Sequence, residues 1–195
     1  MNNISPNFTY IEAIKSITAI KNGMDNTPSL EQLDNLKALG LHVLEQWRHV
    51  SGDRPIRTVV MFRSGVLQKS IITGKKTSVN SLVGGDPLSQ HKCDNGDAAG
   101  DFDNDGFTNR ATNAELFMFA YNNTEVNYDK VIAENIDDNG HVDWIHITYN
   151  RLRKQRRVAV VMFIFKKNKK ISKAYRPFDP LKGFIRKNYL LDGES

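Results

Sequence analysis

Between Leu30 and Trp47 apolar residues return at mostly three- and four-residue steps: Leu30, Leu33, Leu36 or Ala38, Leu41, Leu44 and Trp47. That period places them on one stripe of an α-helix, and such a stripe must be buried against a second layer. Thr27-Pro28-Ser29 precedes it, with Pro28 or Ser29 suited to the helix start. The second layer follows in the chain. Pro55 to Phe62 is rich in β-branched and apolar residues, reads as a strand, and ends at Arg63-Ser64-Gly65. Tyr128 to Ala133 and Val142 to Tyr149 read as two antiparallel strands about the turn Asp137-Asp138-Asn139-Gly140. Val158 to Phe165 and Ile171 to Tyr175 flank Lys166-Lys167-Asn168-Lys169-Lys170 as a hairpin. The expected class is α+β, with N-terminal helices packed on a central, mostly antiparallel sheet.

Smaller signals fill the intervals. Thr9 and Glu12 form a capping box for a helix from Tyr10 to about Ser16. Asn22-Gly23 marks a turn, and Ser51-Gly52-Asp53 breaks the long helix. Asn113 to Tyr121 looks helical, Val66 to Ser81 shows no clear period, and Val83-Gly84-Gly85-Asp86-Pro87 is a loop. No repeat is present. A length of 195 residues suits one domain over residues 1–195, with a basic hairpin and tail from about residue 151.

Composition narrows the class further. The single cysteine, Cys93, rules out an internal disulfide. No apolar run approaches the roughly 20 residues of a membrane-spanning helix. Met1-Asn2-Asn3-Ile4-Ser5-Pro6 has neither the basic start nor the apolar core of a signal peptide. Of 27 Lys+Arg and 22 Asp+Glu, 14 and 3 fall in residues 151–195, a surplus of +11 there against −6 in the rest. Such a basic tail fits an anionic partner surface or, more simply, a solvated edge hairpin guarded by lysines. No nucleophilic Ser or Cys arrangement, phosphate-binding glycine loop or dinucleotide fingerprint occurs.

The chemistry concentrates between Ser89 and His146. Ser89-Gln90-His91 opens this stretch, an acidic run from Asp97 to Asp105 fills its middle, and His141-x-Asp143-x-x-His146 closes it. Two histidines and a carboxylate from separate segments can make a three-ligand zinc site with the fourth position open to water. On an ideal strand His141 and Asp143 share a face while His146 has the opposite parity, so a bulge or bend is needed to bring it round. Asp101-x-Asp103-x-Asp105-Gly106 also fits the first half of a calcium loop, although its twelfth position is Thr112. Cys93 lacks a Cys-x-x-Cys partner and suits packing, and His42 and His49 have no second ligand at a suitable interval.

With its flanks included, the order becomes more specific. Arg63-Ser64 is followed by Val83-Gly84-Gly85-x-x-x-Ser89-Gln90-His91, then Ala99-Gly100-Asp101, Tyr128-Asp129-Lys130-Val131-Ile132-x-Glu134 and Trp144-Ile145-His146. This order, with Thr18-Ala19-x-x-Asn22-Gly23-Met24-Asp25-Asn26-Thr27-Pro28, resembles the zinc D-Ala-D-Ala carboxypeptidase family of metallopeptidases, most closely its short phage-encoded members. The likeness covers roughly residues 8–150, and the hairpin extends it to about 178. It implies a hedgehog/D-Ala-D-Ala peptidase-like sheet and one Zn2+ per chain on His91, an aspartate and His146. The family's usual spacing falls on Ala98; Ala99-Gly100-Asp101 restores its Ala-x-Asp element after an insertion near Cys93, so Asp101 is preferred, with Asp97 and Asp103 as alternatives. The resemblance further implies Asp143 as proton acceptor, Arg63 as oxyanion partner, and His141 as a positioning group for Asp143 or substrate. It implies a peptidoglycan hydrolase, carboxypeptidase or endopeptidase, acting as a phage lysin or virion-associated enzyme. Such a protein would be made in the cytoplasm and reach the wall or periplasm through a holin or the virion. The basic region would then meet an anionic wall polymer, nucleic acid being the weaker choice. The competing expectation is a non-catalytic structural or wall-binding module that retains the fold.

Overall fold

The computed structural model describes residues 3–73, 89–167 and 170–189. The Val83–Pro87 loop, the Asn168-Lys169 turn and the end of the tail lie outside the described residues. Helix α1 (Tyr10–Ile14) starts at Thr9, whose hydroxyl accepts from the Glu12 amide at 3.1 Å while the Glu12 carboxylate accepts from the Thr9 amide at 3.2 Å. A short α2 (Ile17–Lys21) follows, unforeseen in the sequence, capped by Ser16. Helix α3 (Leu30–Leu39) begins at Ser29 with a second capping box through Gln32. It passes through a π-helical turn, Gly40–Leu44, into α4 (Glu45–Val50).

That π turn alters the expected stripe. Its wider winding rotates the second half of the helix relative to the first. Leu41 is 48% exposed and Leu30, at the first turn, 83%, while Leu36, Leu39, Val43, Leu44 and Trp47 are buried. Gly40 sits where the N-terminal segment crosses the helix: a Cβ there would lie 2.8 Å from Ile4 Cγ2. Trp47 locks the layers together, its indole N–H donating to the Leu116 carbonyl at 2.7 Å and its ring meeting Phe102 edge-on.

Six strands form one sheet in the order β1-β2-β4-β3-β5-β6: β1 (Thr58–Val60), β2 (Asp97–Phe102), β3 (Lys130–Ile136), β4 (Trp144–Asn150), β5 (Val158–Lys167) and β6 (Lys170–Pro177). All neighbours are antiparallel except β3 and β5, which run parallel, so the sheet is mixed. Two expectations change. The strand proposed over Pro55–Phe62 shrinks to three residues, because Met61 to Arg63 leave the sheet: the Phe62 amide donates to the Ala13 carbonyl and the Arg63 amide to the His91 carbonyl. The acidic run, whose Asp, Gly and Ala content argues against a strand, contributes β2, an interior strand between β1 and β4. Elsewhere α5 (Gly65–Thr73) gives form to part of Val66–Ser81, and α6 (Asn113–Asn122) starts at the Thr112–Glu115 capping box.

Alternation sorts the two faces of the sheet. Ala98, Gly100 and Phe102 stand opposite Tyr149, Ile147 and Ile145 and face α3, α4 and α6. Asp101 and His146, also directly paired, belong to the other face, together with Trp144, Ile132 and Glu134. The core is continuous from Ile4 to Tyr189, with Phe178 and Phe184 packed on Phe117.

The basic link between β4 and β5 is structural. Arg151 donates to Asn35 at 2.8 Å. Arg153 and Arg156 converge on the buried carboxylate of Asp129 at 2.9 and 2.6 Å. Arg157 caps carbonyls in the last turn of α6 and just beyond it, and lies over the Tyr128 ring. Arg186 pairs with Asp138. Much of the arginine surplus read as a partner surface is therefore engaged within the chain.

Candidate metal centre

Three backbone devices present His91. It lies in a short 3-10 turn, Gln90–Lys92, with the Ser89 hydroxyl accepting from its amide. Cys93 closes the turn in a left-handed conformation, φ 55°. The Met61 carbonyl then takes the imidazole: Nδ1 lies 3.1 Å from this oxygen, so Nδ1 carries the hydrogen and Nε2 offers its lone pair. Asn26, from the N-terminal motif, steadies the same corner by donating to the Ile14 carbonyl at 2.7 Å and accepting from the Ser64 amide at 2.7 Å.

Nε2 of His91 is 3.3 Å from Asp101 Oδ2, and Nδ1 of His146 is 2.7 Å from Asp101 Oδ1. The imidazoles meet edge-on with centroids 5.1 Å apart. One donor atom from each of the three residues lies within 4.8 Å of the others, making a group able to hold a metal ion. The His146 parity problem is resolved without a bulge in its own strand: β4 begins at Trp144, leaving His141 and Asp143 outside it. Arg63 Nη2 stands 3.9 Å from Asp101 Oδ2.

The electrostatics divide the two histidines. Burial lowers the His91 pKa and outweighs the Asp101 charge, favouring the neutral ring a metal needs. For His146 burial acts in the same direction, but the hydrogen bond and charge of Asp101, with the Glu134 charge, raise its pKa overall. Burial alone would raise the Asp101 pKa, yet the two histidines hold it well below the usual carboxylate range.

The remaining expected residues lie elsewhere. The Asp97 carboxylate accepts from Asn150 Nδ2 at 2.7 Å. Asp103 takes Arg57 at 3.1 Å and the Asp105 amide at 3.0 Å, and Asp105 accepts from the Asn113 amide at 3.0 Å. Asp101 faces the histidines, so Asp101, Asp103 and Asp105 do not converge as a calcium loop requires; among the described residues, His91, Asp101 and His146 are the only such group. Cys93 is buried in the core, its Sγ 3.6 Å from the His91 carbonyl. His141 is 56% exposed and sits 3.4 Å from Asp105 rather than on Asp143. The exposed Asp143 carboxylate accepts from Asn135 Nδ2 at 3.2 Å, and its amide donates to the Glu134 carbonyl at 3.1 Å.

Glu134 received no role from the sequence, although it closes the quoted Tyr128–Glu134 run. It lies on the metal-site face of β3, directly opposite Trp144 in the β3–β4 register. Burial pushes its pKa up, against the lowering influence of His146. Its alternation with Ile132 and Lys130 was the available signal, but only the pairing with β4 shows which neighbours share that face. No protein family, no curated protein and no solved structure matches this chain.

Proposed function

We propose that this chain is a zinc-dependent peptide hydrolase acting on bacterial peptidoglycan stems or cross-links, with a hedgehog/D-Ala-D-Ala peptidase-like fold. The observation supporting it most is the meeting of His91 Nε2, Asp101 and His146 Nδ1 on one sheet face. Two imidazoles and one carboxylate suit zinc and leave a position for water or substrate. Bound there, zinc would lower the pKa of a water and polarise a carbonyl. His91 arrives oriented by the Met61 carbonyl, and Asp101 is held ionised between the histidines. Arg63 provides a cation beside the cluster for charge developing on the carbonyl oxygen. The peptidoglycan substrate, the phage lysin or virion role and delivery to the wall follow from the sequence resemblance. Contact with an anionic wall polymer through the remaining basic residues belongs to the same proposal.

Metal content of protein purified without chelator, followed by digestion of purified peptidoglycan with products identified by mass, tests this reading. One zinc per chain, lost in His146→Ala, and released D-alanine or cleaved cross-links are the expected results. A protein that takes up zinc but leaves peptidoglycan intact would favour the wall-binding alternative, and one that takes up none would reject the metal centre.

A further inference from the structure

The resemblance assigns the proton acceptor to Asp143, but a second carboxylate is better placed. Asp143 precedes β4 and is exposed. Its carboxylate leans to Asn135 of β3, away from β2, where Asp101 stands. Glu134 has the opposite disposition. His146 pairs with Ile132, and Glu134, two residues along β3 on the same face, is the diagonal neighbour of His146. Diagonal cross-strand neighbours are within reach of long side chains.

The backbone preserves this arrangement. The register of β3 against β5 shifts between Ala133 and Ile136, and Asn135 adopts φ 54°. Against β4 the register runs unbroken to the Glu134–Trp144 pair, so Glu134 keeps its alternation there while Asn135 turns to hold Asp143. Bulges next to sites re-aim side chains in this way.

We infer that Glu134 is a catalytic carboxylate of this site, the general base that activates the attacking water, with Asp143 secondary on the rim. This rests on the hydrolase reading above. An O–H bond of the water breaks and the proton moves to a Glu134 oxygen as the water oxygen bonds to the carbonyl carbon. The C–N bond then breaks, and Glu134 returns the proton to the leaving amine nitrogen. No oxidant or further reactant is required.

Wild type, Glu134→Gln and Asp143→Asn are compared in three measurements: zinc affinity of the metal-free proteins, acetohydroxamic acid affinity of the zinc forms, and D-alanine release from a D-Ala-D-Ala-ending peptide. Acetohydroxamic acid binds a metal as its anion and passes a proton to a nearby base. Glu134→Gln is expected to keep zinc affinity within about threefold, to weaken hydroxamate binding about tenfold or more, and to lower kcat about a hundredfold or more. Its losses exceed those of Asp143→Asn. The reverse order, or loss of zinc from Glu134→Gln, overturns the inference. If wild type binds zinc and hydroxamate but releases no D-alanine, carboxypeptidase action fails while the hydroxamate comparison still decides the role of Glu134.

Discussion

Protonation governs how the His91–Asp101–His146 group takes a metal. His91 is kept neutral by burial, whereas His146 holds a proton on Asp101 above its ordinary pKa. A metal ion bound there, zinc in the proposed reading, would have to displace that proton. Zinc affinity should therefore fall as pH drops through the raised His146 pKa, with protons released on binding; calorimetry in buffers of different ionisation enthalpy would measure this. The metal-free protein has a different optimum. The raised His146 pKa gives stability that is fully present below about pH 6.5 and is lost as pH rises through the folded value. The lowered Asp101 pKa gives stability present above about pH 4 and lost as pH falls through its folded value. The lowered His91 pKa works the opposite way below about pH 6.5, so the pair's contribution, largest between about pH 4 and 6.5, is read as the difference between wild type and His146→Ala in urea unfolding of the metal-free proteins. Cys93 supplies an independent check of burial. With its thiol pushed up to about 12 inside the core, it should resist alkylation in the native state near pH 8 and react once urea unfolds the chain, as mass spectrometry would record.

At the scale of elements, β2 tolerates little change at Gly100. Gly100 separates Ala99 from Asp101, and a Cβ on it would lie 2.5 Å from the Phe102 ring, itself fixed against Trp47 and Phe8. Gly100→Ala should cost about 1–3 kcal/mol in urea unfolding and weaken zinc binding, since the strand must shift where it presents Asp101. The β4–β5 link predicts a second loss. Asp129 is fully buried and accepts from Arg156 and Arg153; burial acts to raise its pKa, but those bonds and charges lower it overall. Asp129→Ala should destabilise by about 2–4 kcal/mol, toward the lower end because both guanidinium groups are partly exposed and can reach water. Zinc stoichiometry should survive, as Asp129 lies outside the metal group.

At the scale of the whole chain, one sheet and one core join the N-terminal helices to the C-terminal segment. Calorimetry should show a single unfolding transition, moved upward by zinc in proportion to the logarithm of its concentration and downward by a chelator. Much of this organisation was legible locally. The Thr9–Glu12 box, the helix begun at Ser29 and the β-branched strands depend on contacts within a few residues, and they recur in the structure with shifted ends. His91 and His146 stood out among the five histidines through the motifs around them, an order that also picked His141, which the structure places beside Asp105. What the residue order left open required distant segments to meet. Asp101 joins the histidines because its register on β2 places it opposite His146, while Asp97 and Asp103 find partners in Asn150 and Arg57. The π turn redirected the Leu30–Trp47 stripe, the acidic run became an interior strand, and internal acceptors engaged arginines that looked free. Period and residue chemistry thus specified the kinds of element and the histidine donors. Register and burial, which exist only between segments far apart in the chain, selected the third donor and brought Glu134 to the same face.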